Sequence, residues 1–352
     1  MITSDWLAAF AGDGKVSARL ADKAGIADML EVEAAFSRSL AKAGVVPAEI
    51  GEMASAEILA AKIDYDQIIA SAMRDGLPVP GLVGQLKEQI NPKLHCAIHV
   101  GMTSQDVMDT SLLLAIRDVL NDIESRIVDV VGELDVLGGR FGRKTIMGRT
   151  RMQAALPVSV DHRISQWAFP LRGHLERLEQ LRPGLLKIQL GGPVGTRDGL
   201  KGGENSIPAF FAEEIGLGFA ERSWHTNRES LLDLGNWFSM VAGSLGKIGM
   251  DISLMSQQGV DEIGLSKGGS SSSMQHKCNP VGAELLVALS RYCSVHCMGM
   301  HDAQIHEQER SGVSWTLEWL CLPPIAVATA GALRTAMELL EGITDMGREG
   351  NS

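Results

Sequence analysis

The sequence predicts an all-α fold: a bundle of long helices with a smaller helical domain at its N-terminus. Aromatic residues make up only 5% of the 352 residues, while helix-forming Ala, Leu, Met and Glu are abundant. Apolar residues recur at three- and four-residue steps through several long segments. Sustained alternation of apolar and polar residues, bounded by hairpin turns, is not found. Strands should therefore be few and short.

The longest helical pattern covers residues 111–137, in which Leu112, Ile116, Leu120 and Ile123 share one face. Similar patterns predict further helices over residues 28–43, 158–181, 227–258, 282–301 and 324–342. We expect these helices to form the central bundle.

Glycine and proline predict where the helices are interrupted. The predicted breaks are residues 78–84, 138–148, 191–203 and 264–280. Loops of this length between helices often carry function. We expect an N-terminal helical domain over residues 1–105 and the bundle domain over residues 106–352.

The composition excludes several classes of protein. The net charge of −11 argues against nucleic-acid binding or a basic membrane-surface protein, which both need clustered Lys and Arg. A membrane span is not expected, because the most apolar stretch, residues 321–333, is short and contains two prolines. The N-terminus lacks the layout of a signal peptide. Five irregularly spaced cysteines fit reduced thiols. Together these features predict a cytoplasmic protein.

The first segment with potential chemistry is His99-Val100-Gly101-Met102-Thr103-Ser104-Gln105-Asp106. It lies just before the longest predicted helix, so Thr103 and Ser104 could hold a carboxylate at the positive helix end. The alternative, which is the commoner role of such residues, is that Ser104 or Asp106 simply caps the N-terminus of this helix.

Two further segments combine charged and small polar residues. In the second, Arg149 and Arg151 flank Thr150 and precede Gln153; solvated surface arginines are the alternative. In the third, residues 267–280, a Gly/Ser run leads into Lys277, Asn279 and Pro280. Such a run is often a flexible linker, but here a serine could act as base beside an anion-binding lysine.

In order and spacing, these three segments resemble the signature regions of the fumarase/aspartase superfamily. The hallmark of that superfamily is Gly-Ser-Ser-x-Met-Pro-x-Lys-x-Asn-Pro, and Met274, Lys277, Asn279 and Pro280 keep its register. The resemblance makes Ser271 the match to the catalytic serine and Ser272 its neighbour. It implies a homotetramer with each active site assembled from three subunits, and neither a metal nor an organic cofactor.

Within the superfamily the sequence is most similar to the bacterial 3-carboxy-cis,cis-muconate cycloisomerases. Trp224-His225-Thr226-Asn227-Arg228 and Glu309-Arg310-Ser311 support this. Relatives that eliminate an amine or water usually carry a histidine where this chain has Arg151. A cycloisomerase can lack that acid, because its leaving group is a carboxylate, with an ordinary pKa of ~4. Other departures are Ser270 in place of glycine and Gln275 in place of proline. We also expect the superfamily's usual third, C-terminal domain to be absent.

The resemblance implies interconversion of 3-carboxy-cis,cis-muconate and 4-carboxymuconolactone in the β-ketoadipate route of protocatechuate breakdown. The partner would be a small anionic tricarboxylate. Ser271 would carry the proton, with Ser272 beside it, while Lys277 and Asn279 would stabilise developing charge. The implied substrate contacts are His99, Thr103, Ser104, Arg149, Arg151, Gln153, Thr196 and Arg310.

Two alternative functions remain open: a C–N lyase similar to adenylosuccinate lyase, and a helical scaffold without catalysis. Separately, Cys293, His296 and Cys297 share one helix face, a spacing that could offer three metal ligands. Cysteines packed in a helix interface are commoner than such a site, so no metal is expected. His301 and His306 have no partner at a recognisable spacing and are expected at the surface or an interface.

Overall fold

The computed structural model describes residues 4–200, 206–266, 268–270 and 278–349. Over these ranges the fold is mainly helical, as the sequence predicts. The helices are α1 Asp5–Ala11, α2 Gly14–Arg19, α3 Asp22–Lys42, α4 Ala48–Ala60, α5 Tyr65–Asp75, α6 Val79–Gln89, α7 Ser104–Phe141, α8 Val160–Leu185, α9 Ile207–Ile215, α10 Glu229–Met255, α11 Val281–Asp302 and α12 Val313–Glu341. A 3₁₀ helix, Pro92–Ala97, precedes α7.

The strands are short and occur in pairs, which confirms the expectation from the sequence. They are β1 Thr145–Thr150, β2 Gln153–Ser159, β3 Lys187–Ile188, β4 Gly218–Phe219, β5 Ile263–Leu265, β6 Gly269–Ser270, β7 Cys278–Asn279 and β8 Ile343–Met346. β1 pairs with β2, β5 with β8 and β6 with β7, all antiparallel, while β3 and β4 are parallel.

Five long helices, α7, α8, α10, α11 and α12, form the bundle. The apolar face predicted for α7 is buried: Ile116 is 1% exposed, and Leu120, Ile123 and Ile127 are 0% exposed. Burying a side chain of this size contributes roughly 1.5–3 kcal/mol, so the face that sets the periodicity also holds α7 in the bundle.

The bundle has two ends, which we name after α7. At the proximal end, where α7 begins, Thr110 Oγ1 donates to the Gln189 carbonyl oxygen just after α8 (3.2 Å). At the distal end, where α7 finishes, the Asp161 amide at the start of α8 donates to the Gly142 carbonyl oxygen (3.2 Å). α7 and α8 are therefore antiparallel.

The other bundle helices also alternate in direction. The segment before α12 meets the start of α7, and the end of α12 meets β1, where Thr145 and Arg348 form a bridge. β5, which follows α10, pairs with β8, which follows α12. The starts of α10 and α12 therefore lie at the proximal end, and their ends lie at the distal end.

The N-terminal helices pack against the side of the bundle. Phe36 of α3 meets Phe211 of α9 edge to face, with ring centroids 5.4 Å apart. Ser37 Oγ donates to the Ala97 carbonyl oxygen (2.7 Å), which fixes the approach to α7. The division at residue 105 stays a proposal, although α7 does begin next to it, at Ser104.

Two predicted boundaries, both at prolines, are wrong. Residues 78–84 were expected to break the chain, but α6 spans most of them, with Pro80 in the first turn, where a backbone N–H is not needed. Helix α12 begins at Val313 rather than at residue 324 and contains Pro323 and Pro324. Its buried face, which includes Leu322 and Ile325, compensates for the lost backbone hydrogen bonds.

Helix α12 is also long and apolar enough to cross a membrane, judged by length and composition alone. However, 61% of its most apolar window is buried inside the bundle. Core helices commonly combine these two properties, so this helix is weak evidence for a membrane span.

Candidate active site

The start of α7 brings predicted substrate contacts together at the proximal end. Thr103 is the N-cap residue, and its backbone N–H donates to Asp106 Oδ2 (3.0 Å). Ser104 is the first helical residue and is half-buried. Arg310, from the segment before α12, donates through Nη1 to Thr103 Oγ1. A positive helix end, two hydroxyl groups and a guanidinium therefore lie together, which suits a carboxylate ligand.

His99 adds a fourth polar group to this cluster. Its backbone is left-handed (φ 56°), and its Nδ1 lies 2.6 Å from Glu33 Oε1. The backbone N–H of His99 also donates to Glu33 Oε2 (3.1 Å). Burial alone lowers the pKa of His99, but the hydrogen bond and the charge of Glu33 outweigh it and raise the pKa. His99 is therefore disposed to be cationic.

Asp106 links three different parts of the chain at the proximal end. Its Oδ1 accepts from the Gly191 N–H and faces His225 Nε2, both at 2.8 Å. Its Oδ2 accepts from the N–H groups of Gly192 (2.8 Å) and Thr103 (3.0 Å). The side chain is 0% exposed. One carboxylate thus fixes three parts of the chain relative to one another: the start of α7, residue 225, and residues 191–200, which we call the glycine-rich loop.

The glycines of this loop are needed because its backbone lies against the chain just before α7. A Cβ on Gly101 would lie 2.7 Å from the Gly199 carbonyl oxygen, and a Cβ on Gly192 would lie 2.8 Å from the Gly101 carbonyl oxygen. A Cβ on Gly191 would lie 2.4 Å from Ser223 Oγ. Side chains at these positions would push the loop away from the start of α7.

The loop forms one wall of a cavity of about 500 Å³, which we call the proximal cavity. Its lining residues are Val194, Gly195, Thr196, Arg197, Glu221, Arg222, Ser223, His225, Thr226, Gln308 and Glu309. The predicted contact Thr196 is among them and is exposed, with its hydroxyl donating to Asp198 Oδ2 (2.7 Å). Glu309 lies next to Arg310 in the chain, so the cavity adjoins the Thr103 cluster.

A buried charge network lies beneath this region. Arg228 has a fully buried side chain and pairs with Asp109 (Nη1 to Oδ2, 2.6 Å) and with Glu318 (Nη2 to Oε2, 2.6 Å). Burial alone lowers the pKa of Arg228, but the two carboxylates raise it overall. Trp315 Nε1 donates to Asp109 Oδ1 (3.1 Å). The network ties the starts of α7, α10 and α12 together.

His306 corrects an expectation from the sequence. Its side chain is 0% exposed, and Nε2 lies 3.3 Å from Glu318 Oε1, so it is a core residue rather than a surface residue. Its carboxylate partner follows it by twelve residues, a separation that no local pattern indicates.

The second predicted segment forms a hairpin at the distal end. Arg151 and Met152 occupy its two-residue turn with left-handed backbones (φ 50° and 67°), and Gln153 pairs with Thr150 across it. Arg151 and Gln153 are exposed. The Arg149 side chain, by contrast, is held by an ion pair: its Nη1 lies 2.7 Å from Glu262 Oε2. Arg149 and Arg151 line a second cavity, of about 430 Å³, together with Arg163.

Of the third segment, the structure describes Asn279 but not Ser271, Ser272 or Lys277, which lie outside the described residues. Asn279 is half-buried and pairs with Gly269 in the β6–β7 ladder, just before α11. This ladder lies at the distal end, because Gly282 at the start of α11 lies beside Thr335 and Leu339 near the end of α12. Asn279 and Arg151 therefore share an end, while Thr103 and Arg310 lie at the other.

The two groups of predicted residues are far apart in one chain. Helix α7 has 38 residues and separates them by about 57 Å at 1.5 Å per residue. A single chain therefore does not bring Thr103 and Arg151 to the same ligand.

Several residues important to the proximal end were missed from the sequence. Glu33 was given no role, and Asp106 was considered only as a cap of α7. His225 and Arg228 supported the resemblance but were not expected to form buried ion pairs. A polar residue on an otherwise apolar helix face, such as Glu33 in α3, is the signal that could have indicated a buried partner.

The proposed metal alternative is not supported by the described residues. Cys293 Sγ faces Thr329 Oγ1 (3.8 Å), and Cys297 Sγ donates to Asn236 Oδ1 (3.2 Å). Burial raises the pKa of Cys293 to about 12. Among the residues described, no group of His, Cys, Asp or Glu has the arrangement of a metal site.

Comparisons with known proteins give matches over most of the chain. A protein family described as Lyase matches residues 8–294. The 3-carboxy-cis,cis-muconate cycloisomerase of Pseudomonas aeruginosa is 35% identical over 331 residues, covering 92% of this chain and 72% of that protein. The structure of 3-carboxy-cis,cis-muconate lactonizing enzyme from Pseudomonas putida matches with a TM-score of 0.90 and 32% identity, covering 97% of this chain and 77% of that one. A fumarate lyase from Mesorhizobium sp. BNC1 matches with a TM-score of 0.89 and 29% identity, covering 96% and 76%.

Proposed function

This chain belongs to the lyase family of the fumarase/aspartase superfamily, and from that premise we propose that it is a 3-carboxy-cis,cis-muconate cycloisomerase. The observation that carries the proposal is the likeness to cycloisomerases over nearly the whole chain. The proximal end supports it, because His99, Thr103, Ser104 and Arg310 offer hydrogen-bond donors and positive charge to a substrate with three carboxylates. The protein would act in protocatechuate breakdown in the cytoplasm.

The proposed reaction is a balanced isomerisation. A carboxylate oxygen of the substrate forms a bond to an alkene carbon, the C=C π bond breaks, and a proton adds to the neighbouring carbon next to another carboxylate. In reverse, removal of that proton develops enolate-like charge. Ser271 would carry the proton with Ser272 beside it, and Lys277 and Asn279 would stabilise the charge.

Arg151 fits this chemistry at the position where elimination enzymes usually carry a histidine. The group that departs in the reverse reaction is a carboxylate, with an ordinary pKa of ~4, so it leaves without a proton. A guanidinium can pair with it through two hydrogen bonds. The exposed position of Arg151 at a hairpin tip leaves it accessible to such a ligand.

We further propose that each active site combines residues from different subunits of a homotetramer. The argument is the distance of about 57 Å along α7 between the two groups of predicted contacts. In an assembly, the proximal end of one chain could meet the distal ends of two others. Thr103, Ser104 and Arg310 would then face Arg149, Arg151 and Gln153 across a subunit boundary.

The direct test is an assay of the purified protein with 3-carboxy-cis,cis-muconate, following loss of the diene absorbance and identifying the lactone. Conversion that is abolished in Ser271→Ala supports the proposal. Absence of conversion, together with release of fumarate from a succinyl-nucleotide, would instead establish an elimination lyase, as the likeness to a fumarate lyase allows. Absence of both activities would contradict the proposal.

A further inference from the structure

The hydrogen bonds of Asp106 determine which nitrogen of His225 carries a proton. Three backbone N–H groups, from Thr103, Gly191 and Gly192, donate to the two carboxylate oxygens of Asp106. His225 Nε2 occupies a further position, 2.8 Å from Oδ1. A carboxylate in this setting is an acceptor, so Nε2 must be the donor. In the neutral ring Nδ1 then bears a lone pair.

His225 Nδ1 is buried and has no hydrogen-bond partner among the residues that the structure describes. The ring lines the proximal cavity, and its side chain is only 2% exposed. Gly195 lies on the Nδ1 side, where a Cβ would stand 4.0 Å from that atom. A Cβ at Gly195 would also lie 3.6 Å from Ser223 Oγ, so the glycine keeps this edge of the ring free of a side chain from the loop.

The charges around the cavity do not by themselves favour an anion. Arg197 and Arg222 are balanced by Glu221 and Glu309. The Arg197 guanidinium is moreover occupied by the carbonyl oxygens of residues 190, 220 and 221, at 2.8–2.9 Å. The adjoining cluster supplies the Arg310 guanidinium and His99, and His99 is already paired with Glu33. Among the described residues that line the cavity itself, His225 is the one that could add a further positive charge.

We propose that His225 takes up a proton when a polycarboxylate enters the proximal cavity, and that the resulting imidazolium bridges Asp106 and a ligand carboxylate. A neutral ring would place the Nδ1 lone pair against a carboxylate oxygen, which repels it. The protonated ring instead donates Nε2–H to Asp106 and Nδ1–H to the ligand, and both hydrogen bonds are charge-assisted. The inference rests on the proposed function for the class of ligand.

The test uses tricarballylate, a saturated tricarboxylate that cannot lactonise, titrated calorimetrically into the intact protein between pH 6 and pH 9. Each titration is repeated in two buffers of different ionisation enthalpy, which gives the number of protons taken up. The expected uptake rises with pH to a plateau of about one proton per site, by linkage between proton and ligand binding. Zero uptake throughout this range, or no binding of tricarballylate, would overturn the proposal.

The matched variants are His225→Gln and His174→Gln. A glutamine at position 225 can still donate an N–H to Asp106 but cannot gain a proton, so uptake should disappear and affinity should become less dependent on pH. His174 is also buried, lies on α8 with Nε2 2.8 Å from Ser244 Oγ, and has a pKa lowered by burial to about 4. Its replacement should leave the uptake intact. Full uptake in His225→Gln would assign the proton to another group.

Nitrogen-15 spectra of the histidines in wild-type protein saturated with tricarballylate provide a second measurement, independent of whether His225→Gln folds. Both ring nitrogens of one buried histidine should become protonated on binding. Turnover of the muconate separates the two proposals. Turnover without proton uptake overturns this inference alone, whereas uptake without turnover supports it and overturns the proposed substrate.

Discussion

Glu33, in the middle of α3, holds His99 by both its ring and its backbone: Oε1 lies 2.6 Å from Nδ1, and Oε2 accepts the backbone N–H at 3.1 Å. The Glu33 side chain is 0% exposed and that of His99 is 19% exposed. The N-terminal helices therefore do more than cover the bundle, because one of them positions and charges a candidate substrate contact.

We predict that Glu33→Gln lowers stability more at pH 6 than at pH 9. The raised pKa of His99 means that its pairing with Glu33 stabilises the fold fully below the unfolded value of ~6.5, and that this contribution is lost as pH rises through the folded pKa. The expected loss at pH 6 is about 1–3 kcal/mol, measured by urea unfolding. Equal losses at both pH values would show that the charge of His99 does not matter.

Arg228→Met should destabilise the protein by about 3–5 kcal/mol, because it leaves Asp109 and Glu318 buried without their cation. Adding Glu318→Gln should recover part of the loss. The control is Arg172→Met, which removes an exposed pair with Asp135 and should cost less than about 1 kcal/mol. A similar loss in both arginine variants, measured by chemical denaturation, would contradict the buried-network interpretation.

Arg149→Met should lower the stability of the protein, whereas Arg151→Met should weaken substrate binding. Arg149 pairs with Glu262, so its loss should reduce stability by about 1–2 kcal/mol, discounted for partial exposure. Arg151 is exposed at the hairpin tip, so its replacement should leave stability unchanged and raise KM at least about tenfold through a lost bidentate contact. Unchanged kinetics in Arg151→Met and in Arg151→His would remove Arg151 from the mechanism.

Ser271→Ala should lower kcat by about 10²–10⁴-fold if this serine transfers the proton. Ser272→Ala, its adjacent control, should retain most of the activity. The two variants are compared in single-turnover reactions with the muconate. A large loss confined to Ser272→Ala would move the catalytic role by one residue along the loop.

Mixing two inactive variants should restore activity if the sites are shared. One chain carries Thr103→Val at the proximal end and the other carries Asn279→Ala at the distal end. After dissociation and reassembly with random mixing, about a quarter of the sites would combine two unaltered halves. Activity no higher than that of either variant alone, in particles shown to be mixed, would contradict sites made from different chains.

The parts of this fold that depend on local pattern could be predicted from the sequence. The apolar stripe through Leu120 and Ile123 predicts α7, and the residues that begin it, Thr103 and Ser104, do cap and open that helix. The two wrong boundaries, at α6 and α12, show the limit of prediction from local pattern. A local rule about proline gives no information on the packing that compensates for its cost.

The candidate site was predictable only in part, because its connections join distant positions. His225 and Asp106 are 119 residues apart, and His99 and Glu33 are 66 residues apart. Only the folded chain reveals such pairs, because a sequence motif identifies polar segments without indicating which distant residue each side chain contacts. The three signature segments identified the polar side chains but not the buried groups that orient them.

The close contacts of Gly101 and Gly192 with backbone atoms, and of Gly191 with the side chains of Ser223 and His225, have a practical consequence for protein engineering. A library that varies these positions would consist mostly of misassembled loops. Val194, Thr196 and Thr226 line the same cavity with side chains that are at least partly accessible. Diversification aimed at new carboxylate substrates should therefore concentrate on these three positions and keep the glycine framework constant.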